Sequence, residues 1–93
     1  MALIPNNGYA YIKLLVEGGK ITALNDIFDF VPEYIVARDL KKDADRFTFL
    51  TRHVENFSLY DLFEIARLCD ISETAILLLA VKEYQIQKLS PED

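Results

Sequence analysis

"VARDLKKDADRFTFLTRH", residues 36–53, decides how the chain is read. Val36, Ala37 and Leu40 fall on one face at helical spacing, and Phe47 and Leu50 do so again a few residues later. Lys41 and Lys42 separate the two sets, and Asp43 can cap the second by accepting a hydrogen bond from the first free amides. The spacing predicts two short helices, 33–40 and 44–53, joined by a tight bend. Their charges are mixed, with Asp39, Asp43 and Asp45 threaded among Arg38, Lys41, Lys42, Arg46 and Arg52.

Breakers on either side fall at intervals that suit more helices. Asn6-Asn7-Gly8 opens a segment 9–17 with Tyr11, Ile12, Leu15 and Val16 on one face, and Gly18-Gly19 ends it through a left-handed cap. Thr22 can cap a second helix, 22–31, with Leu24, Ile27, Phe28 and Val31 as its apolar stripe. Pro32 ends that helix and suits the first turn of the next. Ser58, with Asp61 three residues on, opens a fifth helix, 59–69, whose core spacing is Leu59, Leu62, Phe63, Ile65, Ala66 and Leu68 or Cys69. Ser72 caps a sixth, with Glu73 in its first turn. No alternating strand pattern of any length appears. We therefore expect an all-α bundle of five to six helices forming a single domain over residues 1–93.

Composition agrees. The chain has 93 residues, 52% hydrophobic and 12% aromatic, which suits one packed core and excludes disorder. It also leaves apolar surface that a partner can cover. The net charge of −5 gives no overall basic signal for nucleic acid. Cys69 is the only cysteine, which fits a reducing cytoplasm. The opening "MALIPNNGYAYIK" lacks a basic n-region, so no signal peptide is expected. The longest wholly apolar run, Ala75 to Val81, is seven residues. A membrane span needs about 20.

From Pro32 to about Leu77 the chain resembles the lambda-repressor/Cro-like (XRE-type) helix-turn-helix domain. The family's first motif helix is similar to "YIVARDL", residues 34–40, where Val36-Ala37 stands at its Leu-Ala pair. Ala37 suits the close crossing of the two helices, and Leu40 the last buried position before the turn. Asp43 stands at the recognition-helix cap, Phe47 at its buried Ile or Val, and Thr48 at the small polar residue that follows. "SLYDLFEIARLCDIS", residues 58–72, is similar to the family's closing pattern of Ser-Leu, then Leu, Ile-Ala and Val-Ser. The resemblance implies a core over about 21–80, with 9–18 as an extra N-terminal helix.

Departures fall at the DNA-reading positions. Lys41 replaces the turn glycine, at a cost of about 1 kcal/mol if it is left-handed. Lys42 replaces a buried Val, and its stem can cover the gap. Glu33 and Ala44 stand where Gln is usual, and Asp45 follows. From Glu33 to His53 five basic residues face four acidic ones, a net +1, while the remainder of the chain carries −6. The motif is the least acidic part of an acidic protein.

The resemblance implies that helix 44–53 enters the major groove of double-stranded DNA while 33–40 lies across the backbone. Ala44, Asp45, Thr48, Phe49 and Arg52 would face the groove. Arg46 or Arg52 could grip guanine, Thr48 a phosphate or thymine methyl, and Phe49 a thymine methyl, a sugar or a protein. Lys41, Lys42 and Arg38 complete the expected DNA-binding set, the lysines neutralising phosphate. A homodimer is expected through the last helix, by way of Leu77, Leu78, Val81, Tyr84 and Leu89. The alternative for those residues is that the N-terminal helix covers them.

Each feature has a plainer reading. The charges can be a solvated face laced with local pairs, and Phe49 can be core or interface. His53 suits a helix C-terminus and has no second metal ligand at hand. "EGGKIT", residues 17–22, lacks the spaced glycine and the Ser or Thr after lysine of a phosphate loop. Carboxylate pairs such as Asp26/Asp29 and Asp61/Glu64 have structural explanations, and Cys69 has no base. We expect no enzyme, no cofactor and no metal. The expected function is a cytoplasmic DNA-binding regulator, with a protein-interaction module on the same fold as the other possibility.

Overall fold

Caps and breakers in the sequence mark where helices start and stop in the computed structural model, which describes residues 8–89. Helix α1 spans Tyr9–Glu17, α2 Glu33–Asp39, α3 Ala44–Arg52, α4 Leu59–Cys69 and α5 Glu73–Leu89. Two 3-10 segments, Leu24–Asp29 and Val54–Asn56, link α1 to α2 and α3 to α4. No strand occurs among the described residues, so the fold is all-α as expected. Asn6 and Asn7, expected to open α1, lie outside the described residues.

One closure recurs. After α1 the amide of Gly19 donates to the Val16 carbonyl and that of Lys20 to Leu15, with Gly19 left-handed at φ 75°. After α2, Lys41 donates to Arg38 and Lys42 to Ala37, with Lys41 at φ 60°. After α4, Asp70 donates to Arg67 and Ile71 to Ala66, with Asp70 at φ 59°. This is the Schellman arrangement, which satisfies two carbonyls that would otherwise lack donors. Gly19 adopts it without a Cβ clash, whereas Lys41 and Asp70 do so at a steric cost.

Helix starts follow their caps. Asp43 Oδ2 accepts from the Arg46 amide at 2.9 Å, Ser58 Oγ from Asp61 at 3.0 Å and Ser72 Oγ from Ala75 at 3.0 Å. The expected helix 22–31 is instead the six-residue 3-10 turn Leu24–Asp29. Thr22 does not cap it: the Asp26 carboxylate reaches back to the amides of Thr22 and Ala23, at 3.0 and 3.2 Å. That bond tightens the segment before an α-helix can propagate.

The core runs through every helix. Phe47 of α3 is fully buried and meets Phe28 and Phe57 edge-on, each with ring centres 5.7 Å apart. Ile12, Leu24, Ile27, Val36, Leu50, Ile65, Cys69 and Ile76 pack in the same cluster. Ala37, 1% exposed, lies on α2, which packs against α3. Gly8 permits close approach at the start of α1, since a Cβ there would stand 2.6 Å from Val31 Cγ2. Two expected core residues face solvent instead: Tyr11 is 65% exposed and Leu59 59%. Leu59 is the first residue of α4, ahead of the turn that meets the core. No helix among the described residues is long and apolar enough to cross a membrane.

The left-handed Lys41 gives a direct test. Lys41→Gly removes the Cβ clash but gains unfolded-state freedom, so the net gain is roughly 0.5–1 kcal/mol. Urea denaturation should show a higher midpoint with an unchanged slope; a lower midpoint would count against the left-handed turn.

Candidate functional site

The outward ridge of α3 follows from which of its residues point inward. Phe47, Leu50 and Thr51 are buried, so Asp45, Arg46, Phe49, Arg52 and His53 are left on the exposed side. Arg46, Phe49 and His53 form a row along it. The Arg46 guanidinium carbon lies 5.6 Å from the centre of the Phe49 ring, and the His53 ring is 4.7 Å away on a 34° tilt. Arg46 and Arg52 have no carboxylate partner within ion-pair distance among the described residues.

The expected DNA-facing residues divide into two groups. Ala44, Asp45, Arg46, Phe49 and Arg52 are exposed together on α3, and Lys41 is exposed at the turn before it. The others have partners within the chain. The Lys42 ammonium lies 3.1 Å from Asp61, an ion pair that ties the turn to α4, and both side chains are largely covered. Arg38 forks onto the neighbouring Asp39, at 3.2 and 3.1 Å. Thr48 is half-buried, and its hydroxyl donates to Glu33 Oε1 at 3.1 Å, so it does not project outward as expected.

Glu33 is the reason. Its other oxygen lies 3.2 Å from the Thr51 hydroxyl, which also has the Thr48 carbonyl at 2.8 Å and donates its one proton between them. The carboxylate at the start of α2 thus holds two successive polar positions of α3. A second polar group holds the far end of α3. The Thr51 carbonyl accepts from Asn25 Nδ2 at 2.8 Å and Gln87 Nε2 at 2.9 Å, and Gln87 Oε1 accepts from the Val54 amide at 3.2 Å. Buried Glu83 accepts from the Asn25 amide at 3.0 Å. Asn25 Oδ1 is the buried polar side-chain atom without a partner among the described residues.

Sequence reading did not find the roles of His53, Glu33, Asn25, Glu83 and Gln87. The Phe49–His53 spacing of four on a helix was the one available signal. The cross-links from α5 span 33 to 58 residues and leave no local trace.

On α5, Ile76 and Leu79 are buried and Leu77 is half-buried, while Leu78, Val81, Tyr84 and Leu89 are exposed at 59%, 51%, 39% and 82%. The buried side of α5 meets α4 and the 3-10 segments. The N-terminal helix lies chiefly against α4 and does not cover the exposed side. A shallow, mostly apolar groove of about 280 Å³ runs beside α5, lined by Val54, Glu55, Phe57, Leu62, Leu77, Ala80, Val81 and Tyr84.

Two protons are held unusually tightly. Burial pushes the Cys69 thiol up to about 12, so it stays protonated at neutral pH and is not a thiolate nucleophile. Burial raises the Tyr9 phenol well above its ordinary range, helped by its hydrogen bond to Asp39 at 2.7 Å and by that carboxylate's charge. No group of three or more His, Cys, Asp or Glu side chains among the described residues is arranged to hold a metal ion.

No family model matches the chain, and no curated protein or solved structure does either.

The two raised groups predict alkaline sensitivity. Each releases its proton more easily in the unfolded chain, so their contribution is intact below about pH 9 and is lost as pH climbs toward the folded values. Denaturation midpoints should hold between pH 7 and 8.5 and fall between pH 9 and 11. Cys69→Ala should flatten part of that fall, despite a lower starting stability from the small cavity.

Proposed function

We propose that this chain is a DNA-binding helix-turn-helix protein, a transcriptional regulator that reads the major groove with α3 as a homodimer. The observation that carries the reading is the α2–α3 pair. Buried Ala37 lies on the first helix, a left-handed residue closes the turn, an Asp caps the second, and Arg46, Phe49 and Arg52 stand on its outer ridge. A recognition helix of this type places its N-terminal residues against base edges while the preceding helix crosses the backbone. Arg46 and Arg52 bring donors not committed to carboxylates, and Lys41 is exposed at the turn before α3, available for phosphate. Lys42 holds the turn through Asp61 and Arg38 is paired with the adjacent Asp39, which reduces the phosphate contacts of one copy. Useful affinity then needs two copies on a two-fold site, with the exposed row on α5 as the surface that joins them. Work on DNA of this kind belongs in the cytoplasm, in agreement with the single buried Cys69.

A second reading rests on the groove beside α5. An apolar channel next to several exposed large side chains suits a protein partner, and Asp43 and Asp45 at the start of α3 disfavour phosphate. On that reading the fold is a protein-interaction module.

Titration of a random duplex pool separates the two. Arg46→Ala and Arg52→Ala should each weaken binding at least fivefold without lowering the melting temperature, and wild-type affinity should fall linearly with log salt. Absence of duplex affinity at low salt would leave the interaction module as the better reading.

The α5 row has its own test. Sedimentation equilibrium should give a dimer for the wild type and a monomer for Leu78→Glu/Val81→Glu with helix content preserved. A monomeric wild type at high micromolar concentration would remove the homodimer.

A further inference from the structure

Arg46 and Phe49 stand one helical turn apart, and the guanidinium carbon sits 5.6 Å from the ring centre. The ring, 43% exposed, also neighbours His53, with ring centres 4.7 Å apart. The Arg46 amide is fixed by the Asp43 cap at 2.9 Å, which anchors the backbone beneath the side chain. We infer that Arg46 and Phe49 act as one reading unit, selecting in duplex DNA a guanine whose neighbouring pyrimidine carries a 5-methyl group. This rests on the DNA-binding reading above and specifies what that site reads.

The chemistry follows from what each group leaves free. Attraction between a cation and a ring face holds a guanidinium without consuming its N–H donors. No carboxylate pairs with Arg46 among the described residues, so its fork remains available for a base edge. Guanine is the base that offers two adjacent acceptors, O6 and N7, in the major groove. Phe49 has no donor or acceptor and gains only from an apolar neighbour. The apolar group on the major-groove edge is the 5-methyl of thymine, which 5-methylcytosine also carries. Stacked bases lie about 3.4 Å apart along a strand, so side chains in mutual contact reach neighbouring bases rather than distant ones. His53 restrains the ring and lowers the cost of ordering it on binding.

The test selects duplexes from a random pool with the full chain and measures anisotropy on the selected duplex and its variants. Enrichment of a guanine flanked by thymine is expected. Replacing that thymine by deoxyuridine, which removes only the methyl, should weaken wild-type binding about three- to fivefold. At the same position, 5-methylcytosine should bind more tightly than cytosine by a similar factor. Phe49→Ala should become indifferent to the methyl and keep a guanine preference that is weaker than the wild type's, since the ring no longer holds the guanidinium. Arg46→Ala should lose that preference, which is worth roughly five- to 150-fold. A bound duplex without an enriched thymine–guanine step, or wild-type binding indifferent to the methyl, overturns the inference and leaves DNA binding standing. Absence of affinity for any duplex overturns the DNA-binding reading itself and this inference with it.

Discussion

The packing of one ring, Phe47, orients everything on the surface of α3. It is fully buried and meets Phe28 and Phe57 edge-on, so it joins the first 3-10 segment, α3 and the residue that closes the second 3-10 segment. Burying such a side chain contributes about 1.5–3 kcal/mol, a large share of what holds a chain of this size together. Because a helix turns 100° per residue, fixing Phe47 inward also fixes Leu50 and Thr51 inward and sends Arg46, Phe49 and Arg52 outward. Core packing and the candidate site are two faces of one constraint.

Polar contacts refine what the ring sets. Glu33 draws Thr48 and Thr51 toward α2, and Gln87 with Asn25 holds the Thr51 carbonyl at the other end. The helix is therefore pinned at its middle by apolar packing and along its length by hydrogen bonds, while its outer side stays unpinned. This division suits a surface that must keep its direction while presenting free donors. It also explains why several lysines and arginines that look free in the sequence are not. Lys42 spends its charge on Asp61 of α4, and Arg38 on the adjacent Asp39 at the surface of α2.

Most of the helical plan was legible from local pattern. The Asp43, Ser58 and Ser72 caps and the end of α4 at Cys69 fall where side-chain chemistry and periodicity put them. The left-handed backbone at Lys41 had no local sign in the sequence, and the resemblance raised it only as a condition. The expected helix 22–31 failed because a six-residue apolar spacing fits a 3-10 turn as well as an α-helix, and Asp26 closes it from within. Leu59 and Tyr11 failed because periodicity assigns a face but cannot say whether a neighbour reaches it. At the candidate site, exposure of Arg46, Phe49 and Arg52 was readable. The inward turn of Thr48 was not, because its partner Glu33 lies 15 positions away.

The Gln87 contact has a consequence for the order of events during synthesis. The far end of α3 is complete by residue 52, yet the side chain that holds it belongs to residue 87, and the Asn25 amide waits for residue 83. While the chain is being made from its N-terminus, the residues of α3 leave the ribosome before those partners do. Until Gln87 arrives, the Val54 amide lacks its side-chain acceptor and the Thr51 carbonyl lacks one of its two side-chain donors. The far end of α3 is thus closed by the last helix of the chain.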